Sequence, residues 1–170
     1  MNIPEKLDGT EPVYPGFWKR VIADLIDSSI VDLASVLMTF IFLGAWYWVG
    51  VLLRLESVQP EARDFFFREA QSTLILLVLV LSRGIFALLY YSLGHYRYGT
   101  TFGKIIFHIY VVSTEGMQPL TLRQAYLRTL HYITSYLTFY VGFLMVIFHP
   151  QKRALHDLLA NTVSIVRRKA

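Results

Sequence analysis

Residues 20–48, RVIADLIDSSIVDLASVLMTFIFLGAWYW, decide how this chain folds. The run is apolar and long enough for a bilayer, yet it carries Asp24, Asp27 and Asp32. Wound as a helix at about 100° per residue, Arg20, Asp24, Asp27, Ser28, Asp32, Ser35 and Thr39 share an arc of about 140°. Ile22, Leu25, Ile26, Leu33, Val36, Leu37 and Phe40 take the other side, with Ser29 the one polar residue among them. One side suits lipid; the other needs protein, water or a cation. Trp18 to Trp46 is about 42 Å of helix, which matches a bilayer with its interfaces, about 40–45 Å. Aromatic residues stand at both ends, Phe17 and Trp18 at one and Trp46, Tyr47 and Trp48 at the other, as interfacial belts do. A solvated helix in a soluble bundle has no need of that length. Charged side chains at membrane depth are costly, so each of the three aspartates requires a partner or a task.

Composition agrees. Of 170 residues, 55% are hydrophobic and 16% charged, and mean hydropathy is +0.46; soluble domains are about a quarter charged. The length allows one small membrane domain. The absence of cysteine excludes disulfides, thiolate metal sites and thiol nucleophiles. The net charge of +4 comes from dispersed basic residues between long apolar runs, a poor pattern for nucleic-acid binding. Residues 1–15 are polar and read as a flexible tail, without the apolar core of a cleavable leader. The first helix is then its own insertion signal, and the lipid bilayer its first partner.

The spans predicted are 18–48 and 72–93. Arg83 interrupts the second about 15 Å from the Leu93 end, too deep to reach the interface easily. In an antiparallel hairpin it lies at a depth between Asp27 and Asp32, so an Arg83–Asp27 or Arg83–Asp32 pair is expected. Where the charges pair internally, the partners expected are Arg20 with Asp27, Arg83 with Asp32, and Asp157 with Arg153 or a backbone group. Residues 105–112, β-branched and aromatic, predict a strand, and 113–116 a turn. Thr121 and Gln124 fit a capping box before an apolar helical segment, 121–148. A short helix over 154–160 and a strand over 162–167 follow, the latter pairing with 105–112. GTTFGK (99–104) falls one residue short of a phosphate loop and has Ile105 where a magnesium-binding hydroxyl is needed.

Basic residues number three in 1–20, three in 54–71, four in 94–130 and five in 149–170. An even number of crossings places 12 inside and three outside, whereas three full crossings give seven and eight. The even count predicts cytoplasmic N- and C-termini, with 121–148 a re-entrant or interfacial helical pair bent near Thr134–Thr138. The fold class expected is therefore an all-α membrane protein. It consists of a transmembrane hairpin and that pair, with a small two- or three-stranded β element on the cytoplasmic surface.

FWKRVIADLID (17–27), GTTFGKIIFHIYVV (99–112), PLTLRQAYLR (119–128) and HPQKRALHDLLANTVSIV (149–166) occur in this order. In this order they resemble the RDD family of membrane proteins, over about residues 16–166. The family's arginine corresponds to Arg20 and its two aspartates to Asp27 and Asp157. Thr100 and Phe102 stand where the family commonly has Gln and Pro, and Asn161 where Gly is usual. Asp24, Asp32 and Arg83 are not signature positions. The resemblance implies a bacterial inner-membrane protein and either transport or partnership with other membrane proteins.

Two functions follow from the polar residues Arg20, Asp24, Asp27, Asp32, Arg83 and Asp157. In one they form a site on an ion or solute pathway; two spans cannot enclose a path, so this needs an oligomer or partner subunits. In the other they pair internally, in an assembly or regulatory subunit that docks a partner protein. An enzyme is not expected. His95, His108, His131, His149 and His156 lack metal-ligand spacing, no catalytic triad is legible, and no cofactor is implied.

Overall fold

A computed structural model describes residues 12–52, 60–137 and 141–167, with side chains described outside 49–52 and 60–71. The chain is mostly helical. Helix α1 runs Phe17–Leu52 and α2 Pro60–Tyr98. Within them Phe17–Trp48 and Ser72–Tyr98 are long and apolar enough to cross a membrane. Their side chains are mostly turned outward: Leu33, Leu37, Phe40, Ile41, Leu76, Val80 and Ile85 are exposed. A soluble core helix buries such residues; here only lipid or another subunit can cover them.

The chain divides into two compact units, residues 30–86 and the remainder. In the 30–86 unit the two long helices meet through small polar residues, with the Ser82 hydroxyl 3.5 Å from the Ser35 carbonyl oxygen. Ser35 and Thr39 turn their hydroxyls to carbonyls in their own helix. Such residues let helix backbones approach closely in apolar surroundings.

The other unit joins the two helix ends to everything after Ala87. Helix α2 stops at Gly99, whose φ of +65° is left-handed and whose N–H returns to His95 O at 3.0 Å, a helix-ending conformation that glycine adopts freely. A short helix α3, Phe102–Ile106, follows, then strand β1, Ile109–Ser113. The strand expected from residue 105 thus begins four residues later. Ile105 and Ile106 favour extended structure by propensity, but tertiary capping of α3, described below, holds them helical. His108, at φ +55°, turns the chain into β1.

Strand β2, Thr162–Val166, pairs antiparallel with β1, from Ile109↔Val166 to Ser113↔Thr162. The sheet has two strands, extended by an isolated bridge in which Val166 N–H donates to Val13 O at 2.8 Å. Residues 13–15, expected as part of a flexible tail, are ordered instead, with Val13 bridged to β2 and Pro15 fully buried; residues 1–11 lie outside the described residues. Val112, Val163 and Ile165 pack with Tyr14, Tyr110 and Met117, while Val111 packs with Leu120 and Ala125.

Helix α4 spans Leu122–Leu137 and α5 Val141–Phe148. The capping box forms: Gln124 N–H donates to Thr121 Oγ1 at 3.2 Å, and Thr121 N–H to Gln124 Oε1 at 3.1 Å. A Cβ on Gly142 would stand 2.9 Å from Ser135 Cα. A continuous helix would hold those positions about 10 Å apart. Residues 122–148 are therefore two helices packed on each other. Helix α4 runs on through Thr134 to Leu137, so the bend expected near Thr134–Thr138 does not fall within those four residues, and residues 138–140 lie outside the described residues. Helix α6, Leu155–Leu159, is followed two residues on by Asn161, whose φ of +52° accounts for the glycine usual at this position in the resemblance.

Candidate functional site

The first-helix stripe does not act as one group. Asp27, fully buried on α1, points to the start of α3 and accepts hydrogen bonds from Gly103 N–H at 2.7 Å, Tyr90 Oη at 2.7 Å and Thr101 Oγ1. Thr101, at the N-cap of α3, makes no side-chain cap of its own. Asp27 supplies that cap from 74 residues away, placing a carboxylate where free N–H groups and the helix dipole favour one. Contact is close: a Cβ on Gly103 would lie 2.2 Å from Ala23 O. GTTFGK is therefore a docking segment for α1, with glycine where backbone meets backbone.

Lys104, from the same segment, turns its buried ammonium to Asp24 at 2.7 Å and Asp27 at 3.6 Å, with the Tyr91 ring 5.5 Å away. Burial favours the neutral amine, but the two carboxylates outweigh it and hold the pKa above the ordinary lysine value.

Asp157, on α6, is the second centre. Arg20 Nη1 donates to its Oδ2 at 2.7 Å, Arg128 Nη2 stands 2.7 Å from Oδ1, and Ala154 N–H caps Oδ2 at 3.1 Å. The Arg128 contact is an ion pair by distance, without hydrogen-bond alignment at Oδ1. Burial opposes ionisation of Asp157; Arg128 and Arg20 overcome it and hold the carboxyl well below the usual carboxylate range. The charges of the two centres are equal in number, with buried Arg20, Lys104 and Arg128 against buried Asp27 and Asp157 and the partly exposed Asp24.

Of the expected pairings, those of Arg20 with Asp27 and of Arg153 with the Asp157 carboxylate are corrected, and that of Arg83 with Asp32 forms. Arg20 pairs with Asp157, not Asp27, because Asp27 is engaged by α3. Arg153 donates to the backbone oxygens of Asp157 and Thr162, and Asp157 meets the alternative expectation of a backbone cap. Arg83 pairs with Asp32, Nε to Oδ1 at 2.6 Å, in the 30–86 unit, while Asp27 belongs to the other unit. Lys104 and Arg128 were not among the expected site residues. Lys104 reads as a failed phosphate-loop lysine and Arg128 as one polar residue in an apolar helix. Charge arithmetic was the available signal, since three aspartates and Asp157 exceed what Arg20 and Arg83 can neutralise.

His156 completes the interior. It stacks on Tyr132 at 4.1 Å, with Nδ1 3.2 Å from Ser135 Oγ and Nε2 3.7 Å from Asp157 Oδ1. Burial pushes its pKa down to about 3, so the ring is neutral. The Ser135–His156–Asp157 alignment resembles a catalytic triad in order, but Ser135 is fully buried and two arginines hold the carboxylate. A triad needs an approach to its nucleophile. Among the described residues no three His, Asp or Glu side chains gather in a group able to hold a metal.

The family model described as RDD family matches residues 14–161. Uncharacterized protein YxaI of Bacillus subtilis (strain 168) is 30% identical over 148 residues, covering 86% of this chain and 93% of its own. Uncharacterized membrane protein YteJ of the same organism is 27% identical, covering 95% and 87%. Uncharacterized protein RP437 of Rickettsia prowazekii (strain Madrid E) is 24% identical, covering 90% and 96%. No solved structure matches the chain.

Proposed function

The chain belongs to the RDD family of membrane proteins, and from that premise we propose that it works as an oligomeric membrane module whose subunits meet across the Asp32–Arg83 face, enclosing there a route for a small cation or solute. One observation carries this reading. Asp32 and Arg83 stand far inside the two candidate spans, yet their side chains are 51% and 49% exposed. An ion pair that open is unsuited to hydrocarbon and is satisfied by water, a ligand or protein. The flanking apolar residues of both helices extend the same uncovered surface.

Both long helices cross the bacterial inner membrane, with the two termini in the cytoplasm. Two helices of spanning length support an even count. The contact between α4 and α5 supports a helical pair that enters from the cytoplasmic side without crossing. This orientation keeps the 12 basic residues inside.

A second reading, a non-transporting assembly or regulatory subunit that docks a partner, is favoured by the closure of Asp27 and Asp157 within their own chain. Such carboxylates are engaged by groups of their own chain and serve the fold. Two measurements together separate the readings: subunit stoichiometry in mild detergent, and cation flux into proteoliposomes. Oligomers with a flux that Asp32→Asn abolishes support the pathway. Silent proteoliposomes and a co-purifying stoichiometric partner support docking, and a silent monomer overturns both.

A further inference from the structure

The residues around Asp157 leave something unsatisfied. Arg20 and Arg128, 7% and 1% exposed, each spend one terminal nitrogen on Asp157. Arg20 Nε and Nη2 and Arg128 Nε and Nη1 are buried and have no hydrogen-bond acceptor among the described residues. Burying an unsatisfied donor is costly, more so on a charged group. Both arginines line one cavity of about 30 Å³, together with Lys104, Val146 and Tyr132. A void of that size holds one or two water-sized particles. Guanidinium is donor-only; the unsatisfied Nε and Nη2 of Arg20 form one side-by-side fork of the kind that grips anions, whereas Nε and Nη1 of Arg128 donate on different sides of its guanidinium. Asp24 also borders the cavity, but its carboxylate is taken up by Lys104.

The geometry points to a binding site for one small monovalent anion of halide size, held between Arg20 and Arg128. Four unsatisfied donor nitrogens of two guanidiniums stand against one unsatisfied acceptor, Asp157 Oδ1, and the two arginines exceed that single carboxylate in charge, so the imbalance calls for an anion. The small volume excludes sulfate, phosphate and carboxylates. The site belongs to the unit outside residues 30–86 and stands or falls independently of the Asp32–Arg83 face.

The test is thermal unfolding of the full chain in detergent, with sodium chloride or bromide exchanged for gluconate at constant ionic strength. Chloride and bromide, at about a hundredfold over the dissociation constant, should raise the midpoint by about 5 °C, with sulfate giving no comparable rise. Val146→Met fills the cavity and leaves both arginines in place; it should fold and lose the halide dependence. Bromide anomalous scattering should place one ion per chain between the two guanidiniums. Equal midpoints in chloride and gluconate overturn the proposal, as does full halide dependence in folded Val146→Met, or water alone in the cavity.

Discussion

Gly103→Ala tests whether docking of GTTFGK on α1 holds the fold. The added Cβ would stand 2.2 Å from Ala23 O, 3.1 Å from Ala23 C and 3.0 Å from Asp27 Cγ. Two of these atoms are backbone, so relief requires α3 to move off α1. Overpacking of this kind costs about 1–3 kcal/mol. The movement also stretches the 2.7 Å bond from Gly103 N–H to Asp27, and a hydrogen bond to a charged group contributes about 1.5–3 kcal/mol. The expected loss is about 3–5 kcal/mol, read as the shift of a denaturant unfolding midpoint in micelles. Gly84→Ala is the control. Nothing lies within 4 Å of its Cβ position in the interior of α2, so it should be neutral or stabilise by about 0.5–1 kcal/mol. If the two variants unfold alike, the close approach of α3 and α1 is wrong and the role assigned to Asp27 falls with it.

Asp157→Asn keeps the side-chain shape but strands two buried guanidiniums; it should cost about 3–5 kcal/mol, and adding Arg128→Met should recover part of that in the same assay. A double-mutant cycle should couple Arg83→Leu with Asp32→Leu, whereas Arg83→Leu and Asp27→Asn should add within about 0.5 kcal/mol; coupling to Asp27 instead would contradict the observed pairing. His156 has a folded pKa of about 3 against 6.5 when unfolded, so the unfolded state binds the extra proton between those values. Stability must therefore fall as pH drops from 6.5 toward 3. His156→Gln should flatten that part of the profile, and parallel slopes in both proteins would refute the neutral ring. Reporters fused after residues 10 and 170 should read cytoplasmic and one near Glu61 external; an external C-terminus would remove the even crossing count.

The two long apolar helices were legible because length, aromatic ends and hydropathy all act locally. The Thr121–Gln124 cap and the β2 strand were legible for the same reason. Partner choice was not. Helical projection places Asp24, Asp27 and Asp32 on one face but says nothing of which segment covers each turn. Asp27 was taken by α3 and Asp32 by Arg83, and Lys104 and Arg128 entered from segments read for other properties. Depth alone allowed Arg83 either aspartate, and the structure chose the one a turn further along. The strand over 105–112 failed at its start, where a capping carboxylate from a distant helix overrode β-branched propensity.

The separation of Arg20 and Asp157 by 137 residues bears on how the protein is made. Asp157 follows Arg20 by 137 residues, so the ion pair cannot close until that much more chain has been made. Until it closes, Arg20 and Arg128 have no carboxylate to share, and a nascent chain stopped before Asp157 keeps two cations that its own interior cannot accept. Burial of these arginines thereby waits on the segment that carries Asp157, and a chain that stops short of it keeps its interior open and charged.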